Sequence, residues 1–157
     1  MATFQSPVYF RPYNLNAYFQ QRSIYTFNTT SGGPAYIHFK TNIGGASNYA
    51  MYLIEAVGYN YGLASPVRCG WGFYLYSPAG AYATGTLTSV GLKNQYGGLN
   101  ADGVYLSSDY YVCIRAYAAS NYYNGFTLNA YATRTDAQSQ NVTIQSVIQT
   151  SNSGNYY

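Results

Sequence analysis

The side chains that could take part in chemistry are few in this sequence and lie far apart. Hydrolytic, acid–base and metal chemistry need such groups in clusters or at fixed spacing. No phosphate-binding loop, nucleophile elbow or metal-ligand spacing is present. The sequence therefore predicts no catalytic residue, no metal and no cofactor, and hence a protein that is not an enzyme. The titratable or nucleophilic candidates are Glu55, Asp102, Asp109, Asp136, His38, Cys69 and Cys113.

Several of these candidates have an ordinary structural interpretation. Glu55 lies inside an extended run, where a single carboxylate is expected to pair with an arginine or to lie at an interface. His38 alternates with apolar residues as in a strand, so we expect a hydrogen-bonded strand histidine. Cys69 and Cys113 follow no visible export signal, which favours two buried free thiols over a disulfide.

The chain is rich in tyrosine and poor in charged residues. Of 157 residues, 22 are tyrosine and only 7% are charged, against about 25% in an ordinary globular domain. Tyrosine supplies stiff contact area with a hydroxyl that tolerates water, and interfaces are enriched in it. Because the core cannot take all these rings, we expect an assembly or ligand surface. Its candidate residues are Tyr59, Tyr61, Trp71, Tyr111, Tyr117, Tyr122 and Tyr123.

The distribution of charged and apolar residues argues against nucleic-acid binding, a membrane span and an export signal. The seven basic residues are scattered singly, for a net charge of +3, so the basic patch that nucleic-acid binding requires is missing. No apolar run approaches the ~20 residues of a membrane span. The first residues show no basic segment followed by an apolar one, which predicts synthesis in the cytoplasm.

Turn residues recur at short intervals and predict an all-β fold. Clusters of Gly, Pro, Asn and Ser separate runs of six to ten residues rich in Tyr, Val, Ile, Phe and Thr, which is typical of a sandwich or barrel. We predict a jelly-roll-like sandwich of two sheets with about eight antiparallel strands. The strands are expected near 22–28, 34–41, 49–57, 69–76, 81–88, 110–118, 125–133 and 141–149.

Alternation of residue types supports three of these strands, and the two ends of the chain lack this pattern over most of their length. In 49–57, 110–118 and 125–133, every second residue belongs to an apolar face, and the opposite face is not wholly polar. This is expected where one side is core and the other meets a partner. We expect an N-terminal arm (1–20), a β-sandwich domain (21–134) and a C-terminal strand with a polar tail (135–157). Each end is either a frayed tail or an arm exchanged between subunits.

Three stretches resemble a β-sandwich module of virion proteins in tailed bacteriophages, found in tail fibres and other exterior proteins. They are "TNIGGASNYAMYLIEAVGYNYGLASPVRCGWGFYLYS" (41–77), "GVYLSSDYYVCIRAY" (103–117) and "GFTLNAYATR" (125–134). The resemblance implies a structural virion protein without catalytic residues. We expect a self-associating subunit, a homotrimer, that docks on the capsid or tail exterior as a decoration, fibre or tail-attached protein beside other virion proteins.

The alternative is a carbohydrate-binding, receptor-recognising module, a lectin-like fibre tip for a host surface glycan. Sugar faces stack on exposed aromatic rings, and Asn and Asp in loops bond to hydroxyls. The candidate loops are "GYNYG" (58–62), "NQYGGLNADG" (94–103) and "ASNYYNG" (119–125).

Overall fold

The computed structural model describes residues 8–10, 18–44, 50–76, 86–132 and 142–157, and these form strands and turns. Within these ranges no helix has the length and hydropathy needed to cross a bilayer. The strands are β1 (Val8–Phe10), β2 (Tyr18–Asn28), β3 (Ala35–Gly44), β4 (Ala50–Asn60), β5 (Ser65–Tyr76), β6 (Thr86–Asn94), β7 (Asn100–Leu106), β8 (Tyr111–Ala118), β9 (Asn124–Ala132) and β10 (Ile144–Thr150).

The strands form two antiparallel sheets. A six-stranded sheet has the order β1-β2-β9-β4-β5-β6, and a four-stranded sheet has the order β10-β3-β8-β7. Among the described strands the chain changes sheet five times, and two of these changes lie between β2 and β3 and between β8 and β9. Because β2 pairs with β9 and β3 pairs with β8, a two-segment ribbon passes from one sheet to the other. The prediction of an all-β, jelly-roll-like sandwich of two sheets is confirmed.

Side-chain alternation fills the space between the sheets, as the sequence predicts. In β8, Val112, Ile114 and Ala116 are fully buried, and β9 follows the strict pattern of a strand with one core face. Aromatic rings join the two layers, since Phe39 of β3 packs edge-on against Phe126 of β9 at 6.1 Å between centroids.

The position of Trp71 corrects one prediction. Its side chain is 0% exposed, and its indole Nε1 donates to the carbonyl oxygen of Arg115 in the opposite sheet at 2.8 Å. Trp71 therefore belongs to the core, and its assignment to a contact surface is wrong. Side chains alternate between the two faces along β5. Gly70 and Gly72 occupy the outward positions on either side of Trp71, so the Trp71 side chain points into the core.

Strand β1 was not among the predicted strands, and β6 and β7 also differ from the prediction. Strand β7 was predicted as a turn because of its Asn, Asp and Gly residues, yet it pairs with β8 along its length. Strand β6 begins at Thr86, and residues 81–85 of the predicted strand lie outside the described residues.

The described parts of both ends are paired with the chain's own strands. Strand β1 pairs with the beginning of β2, within the predicted arm 1–20. Strand β10 pairs with β3, and residues 151–157 continue onto the outward face of the four-stranded sheet, where the amide of Ser108 donates to the carbonyl oxygen of Tyr157 at 3.3 Å. Residues 1–7, 11–17 and 133–141, which include Asp136, lie outside the described residues.

Candidate functional site

The three described carboxylates each have a basic partner, and they do not meet. Glu55 lies on the outward face of the six-stranded sheet, whereas the other two lie on the four-stranded sheet. Glu55 was expected either to pair with an arginine or to lie at an interface, and the structure shows the arginine pair. A hydrogen bond from Lys40, with a second from Ser107, holds the pKa of Asp109 below its ordinary value. The pairs are Glu55–Arg68 at 3.0 Å, Asp102–Arg115 at 2.5 Å and Asp109–Lys40 at 2.7 Å.

His38 is a buried residue of strand β3. Its Nδ1 lies 2.9 Å from the hydroxyl of Tyr105 on β7, so the predicted strand histidine is hydrogen-bonded through one of its two ring nitrogens. Its Nε2 is buried and has no hydrogen-bond partner among the described residues. Burial lowers the pKa of His38, so the imidazole is neutral near pH 7.

Cys69 and Cys113 are both free and buried, as predicted. They lie on different sheets, with Cys69 facing the core and Cys113 on the outward face of β8, so the two sulfurs are not neighbours. Burial raises the pKa of Cys69 to about 12 and that of Cys113 to about 11. Both remain thiols at neutral pH, whereas the reactive form is the thiolate. No three His, Cys, Asp or Glu side chains in the described ranges are grouped as a metal site.

The first surface of interest is a group of three exposed rings at one end of the sandwich. Tyr61 comes from the turn between β4 and β5, whereas Tyr122 and Tyr123 come from the loop between β8 and β9. The ring centroids are 5.9 Å apart for Tyr61 and Tyr122, 6.0 Å for Tyr61 and Tyr123, and 4.8 Å for Tyr122 and Tyr123. We call these three residues the tyrosine cluster.

Backbone pairing between the two loops holds the tyrosine cluster together. The amide of Tyr61 donates to the carbonyl oxygen of Tyr123 at 3.1 Å, and the amide of Gly62 donates to that of Tyr122 at 3.0 Å. A side chain at Gly62 would come within 2.6 Å of the Ser120 hydroxyl oxygen. Glycine is therefore required for the loops to approach this closely.

A buried asparagine braces the same loops from below. The Nδ2 of Asn60 donates to the carbonyl oxygens of Gly98 at 2.9 Å and Ser120 at 2.7 Å, and its Oδ1 accepts from the amide of Leu63 at 3.2 Å. One fully buried side chain thus ties three loops together. Such a satisfied polar network fixes a single arrangement of the groups it joins.

The second surface is the outward face of β4, a central strand of the six-stranded sheet. Met51, Leu53, Val57 and Tyr59 alternate with buried residues and are exposed, Met51 by 54% and Leu53 by 42%. We call these four residues the β4 stripe. An antiparallel sheet with one face in water usually carries polar residues there, so this apolar stripe is unusual.

A shallow recess adjoins the β4 stripe. Its volume is about 290 Å³, and it forms because Gly70 has no side chain beside Leu53. The rim includes Arg68 and Lys93. The Tyr131 hydroxyl donates to the second Glu55 oxygen at 3.4 Å, so Glu55 is held from two sides.

The structure places the seven predicted surface residues in four locations. Tyr59 belongs to the β4 stripe, whereas Tyr61, Tyr122 and Tyr123 come together in the tyrosine cluster. Tyr111 and Tyr117 are half-buried on the outward face of β8, and Trp71 lies in the core.

Sequence reasoning did not single out three residues of the β4 stripe, Met51, Leu53 and Val57. The signal was present in the alternation of 49–57. That alternation predicts a core face and a face that meets a partner, but it does not by itself show which of the two faces is buried.

Comparisons of the chain with protein-family models, with curated proteins and with solved structures find no match.

Proposed function

We propose that the protein is a self-associating structural subunit, a homotrimer, that docks on the exterior of a tailed-phage virion. It is made in the host cytoplasm and carried on the particle. In this proposal the protein functions by forming protein–protein contacts and catalyses no reaction. The observation that carries the proposal is the β4 stripe, an exposed apolar row along a central strand of the larger sheet.

The occupant proposed for the β4 stripe is a second copy of this chain. Homo-oligomer interfaces are more apolar than other protein surfaces and are depleted in charge at their centre. The four residues of the β4 stripe are uncharged, and Glu55, which lies between Leu53 and Val57 on the same face, is already paired with Arg68 within the chain. Covering the stripe would therefore leave no lone carboxylate in an apolar contact, which would be costly.

The virion setting depends on the resemblance of 41–77, 103–117 and 125–134 to exterior modules of tailed phages. A rigid sandwich with an apolar outward face suits a subunit that is covered by copies of itself or by a larger particle. We therefore expect the neighbouring genes to encode capsid, portal or tail proteins.

Native mass spectrometry of the purified protein tests the self-association. We expect a trimer at micromolar concentration that dissociates on dilution or under mild activation. A monomer across the whole concentration range would contradict the proposal.

A further inference from the structure

We infer that the tyrosine cluster is a binding site for a neutral saccharide. This inference does not depend on self-association, because the tyrosine cluster lies in the loops at one end of the sandwich and the β4 stripe lies on a sheet face.

The rings are held in place before any ligand arrives. The loops carry two backbone hydrogen bonds to each other, and Asn60 braces them from below. Tyr123 and Ala64 have positive φ angles of 46° and 47°. Such a conformation is unfavourable in a residue other than glycine and is found disproportionately at functional sites. Exposed rings on a rigid support lose little entropy when they bind.

The chemistry of the tyrosine cluster fits a ligand rich in hydroxyl groups. The three phenol hydroxyls form no hydrogen bond with any described residue, so each can donate and accept. Tyr123 stands nearly perpendicular to the other two rings, at 82° to Tyr61 and 79° to Tyr122. A pyranose ring can therefore stack on one tyrosine while a neighbouring hydroxyl reaches its edge.

The surroundings favour a neutral ligand over a charged one. The segments 61–64 and 119–123 contain no charged residue, and neither does the adjoining segment 29–34. Segment 29–34 contacts the loop between β8 and β9, because the amide of Asn121 donates to the carbonyl oxygen of Gly32 at 3.2 Å. Thr30 and Ser31 in it are exposed, so the surface beside the rings offers further hydroxyl groups with which a saccharide can form hydrogen bonds.

Affinity electrophoresis tests the inference with defined probes. The protein is run in native gels that contain dextran, mannan, galactomannan or, as an acidic probe, alginate. We expect at least one neutral polysaccharide to retard the wild-type protein. Tyr122→Ala and Tyr61→Ala should each weaken that binding at least about tenfold, because each removes one stacking ring.

Two further variants control for folding and for ring chemistry. Tyr122→Phe keeps the ring and loses the hydroxyl, so we expect weakening smaller than that of Tyr122→Ala. Tyr110→Ala removes an exposed ring from the turn between β7 and β8, at the opposite end of β8 from the tyrosine cluster, and should bind like the wild type.

Four results would overturn the inference. They are no retardation by any neutral polysaccharide, retardation by alginate alone, unchanged binding by Tyr122→Ala, and a change of oligomeric mass in Tyr122→Ala. The last result would assign the tyrosine cluster to assembly. Native masses of the same samples separate a failure of saccharide binding from a failure of self-association.

Discussion

The hydroxyl of Tyr105 lies 2.9 Å from Nδ1 of His38, and the C-terminal residues of the chain close over both side chains. The amide of Tyr156 donates to the same hydroxyl at 3.4 Å, and the Tyr156 ring lies 5.9 Å from the imidazole. Arg115 also holds residues 151–157 on this face, because its guanidinium donates to the carbonyl oxygen of Ser153. The outward face of the four-stranded sheet is thus partly covered by residues 151–157.

The first prediction concerns acid pH. Burial, together with the neighbouring Arg115, lowers the pKa of His38 below its ordinary 6.5, although the Asn152 backbone and Asp102 oppose the shift. The unfolded chain therefore binds a proton at about 6.5, whereas the folded chain does so only at lower pH. The free energy of unfolding should be highest above pH 6.5 and fall as the pH drops below it. Urea unfolding at a series of pH values measures this dependence.

A matched variant isolates the effect. His38 is the single histidine of the chain, so His38→Gln should flatten the dependence between pH 6.5 and 5. An equal loss of stability in His38→Gln over this range would show that another group causes it.

The second prediction concerns the cover over the four-stranded sheet. The Tyr157 ring centroid lies 5.7 Å from Nζ of Lys40, and Lys40 pairs directly with Cys113 between β3 and β8, so this ring lies on the same face of the sheet as Cys113. Removing residues 151–157 should expose Cys113 and speed its labelling by a thiol reagent at least about tenfold, because labelling depends on access.

Cys69 serves as the internal control for this experiment. It faces the core and should label at the same slow rate in both proteins, as measured by mass spectrometry of peptides. Equal acceleration at both cysteines would indicate general unfolding, and acceleration at neither would contradict the proposed cover.

The third prediction concerns the contact between β4 and β9. A side chain at Gly58 would come within 2.1 Å of the Gly125 carbonyl oxygen and 2.5 Å of the Phe126 Cα. Because backbone atoms cannot move aside as a flexible side chain can, Gly58→Ala should cost more than about 3 kcal/mol of stability. Gly91→Ala, where nothing lies within 4 Å, should change stability by less than about 0.5 kcal/mol. Similar urea midpoints for the two variants would refute this.

Alternation was enough to predict most of the sandwich from the sequence. In 51–57, 110–118 and 125–132, the described parts of three predicted strands, the predicted faces are the observed ones, because a two-residue period directly determines which side chains share a face. Strand β7 was not predicted, because Gly103 and the residues before it are typical of a turn. In the structure that glycine leaves room for Arg115, whose guanidinium would lie 3.1 Å from an added side chain.

The two surfaces differ in how far the sequence could reveal them. Tyr61 and Tyr122 were both predicted to be contact residues, but only the fold shows that loops some sixty positions apart in the chain lie side by side. The burial of Trp71 could have been inferred from the glycines on both sides of it. Total tyrosine content indicated a contact surface without locating it.

The most direct test of the central claim compares two substitutions of leucine by lysine. Leu53 in the β4 stripe and Leu63 in the β4–β5 turn are similarly exposed, at 42% and 39%, so the chemical change is matched. We predict that Leu53→Lys is a folded monomer in light scattering at micromolar concentration, while Leu63→Lys keeps the oligomeric mass of the wild type. Retention of that mass by folded Leu53→Lys would contradict the assignment of the β4 stripe as the surface through which the copies associate.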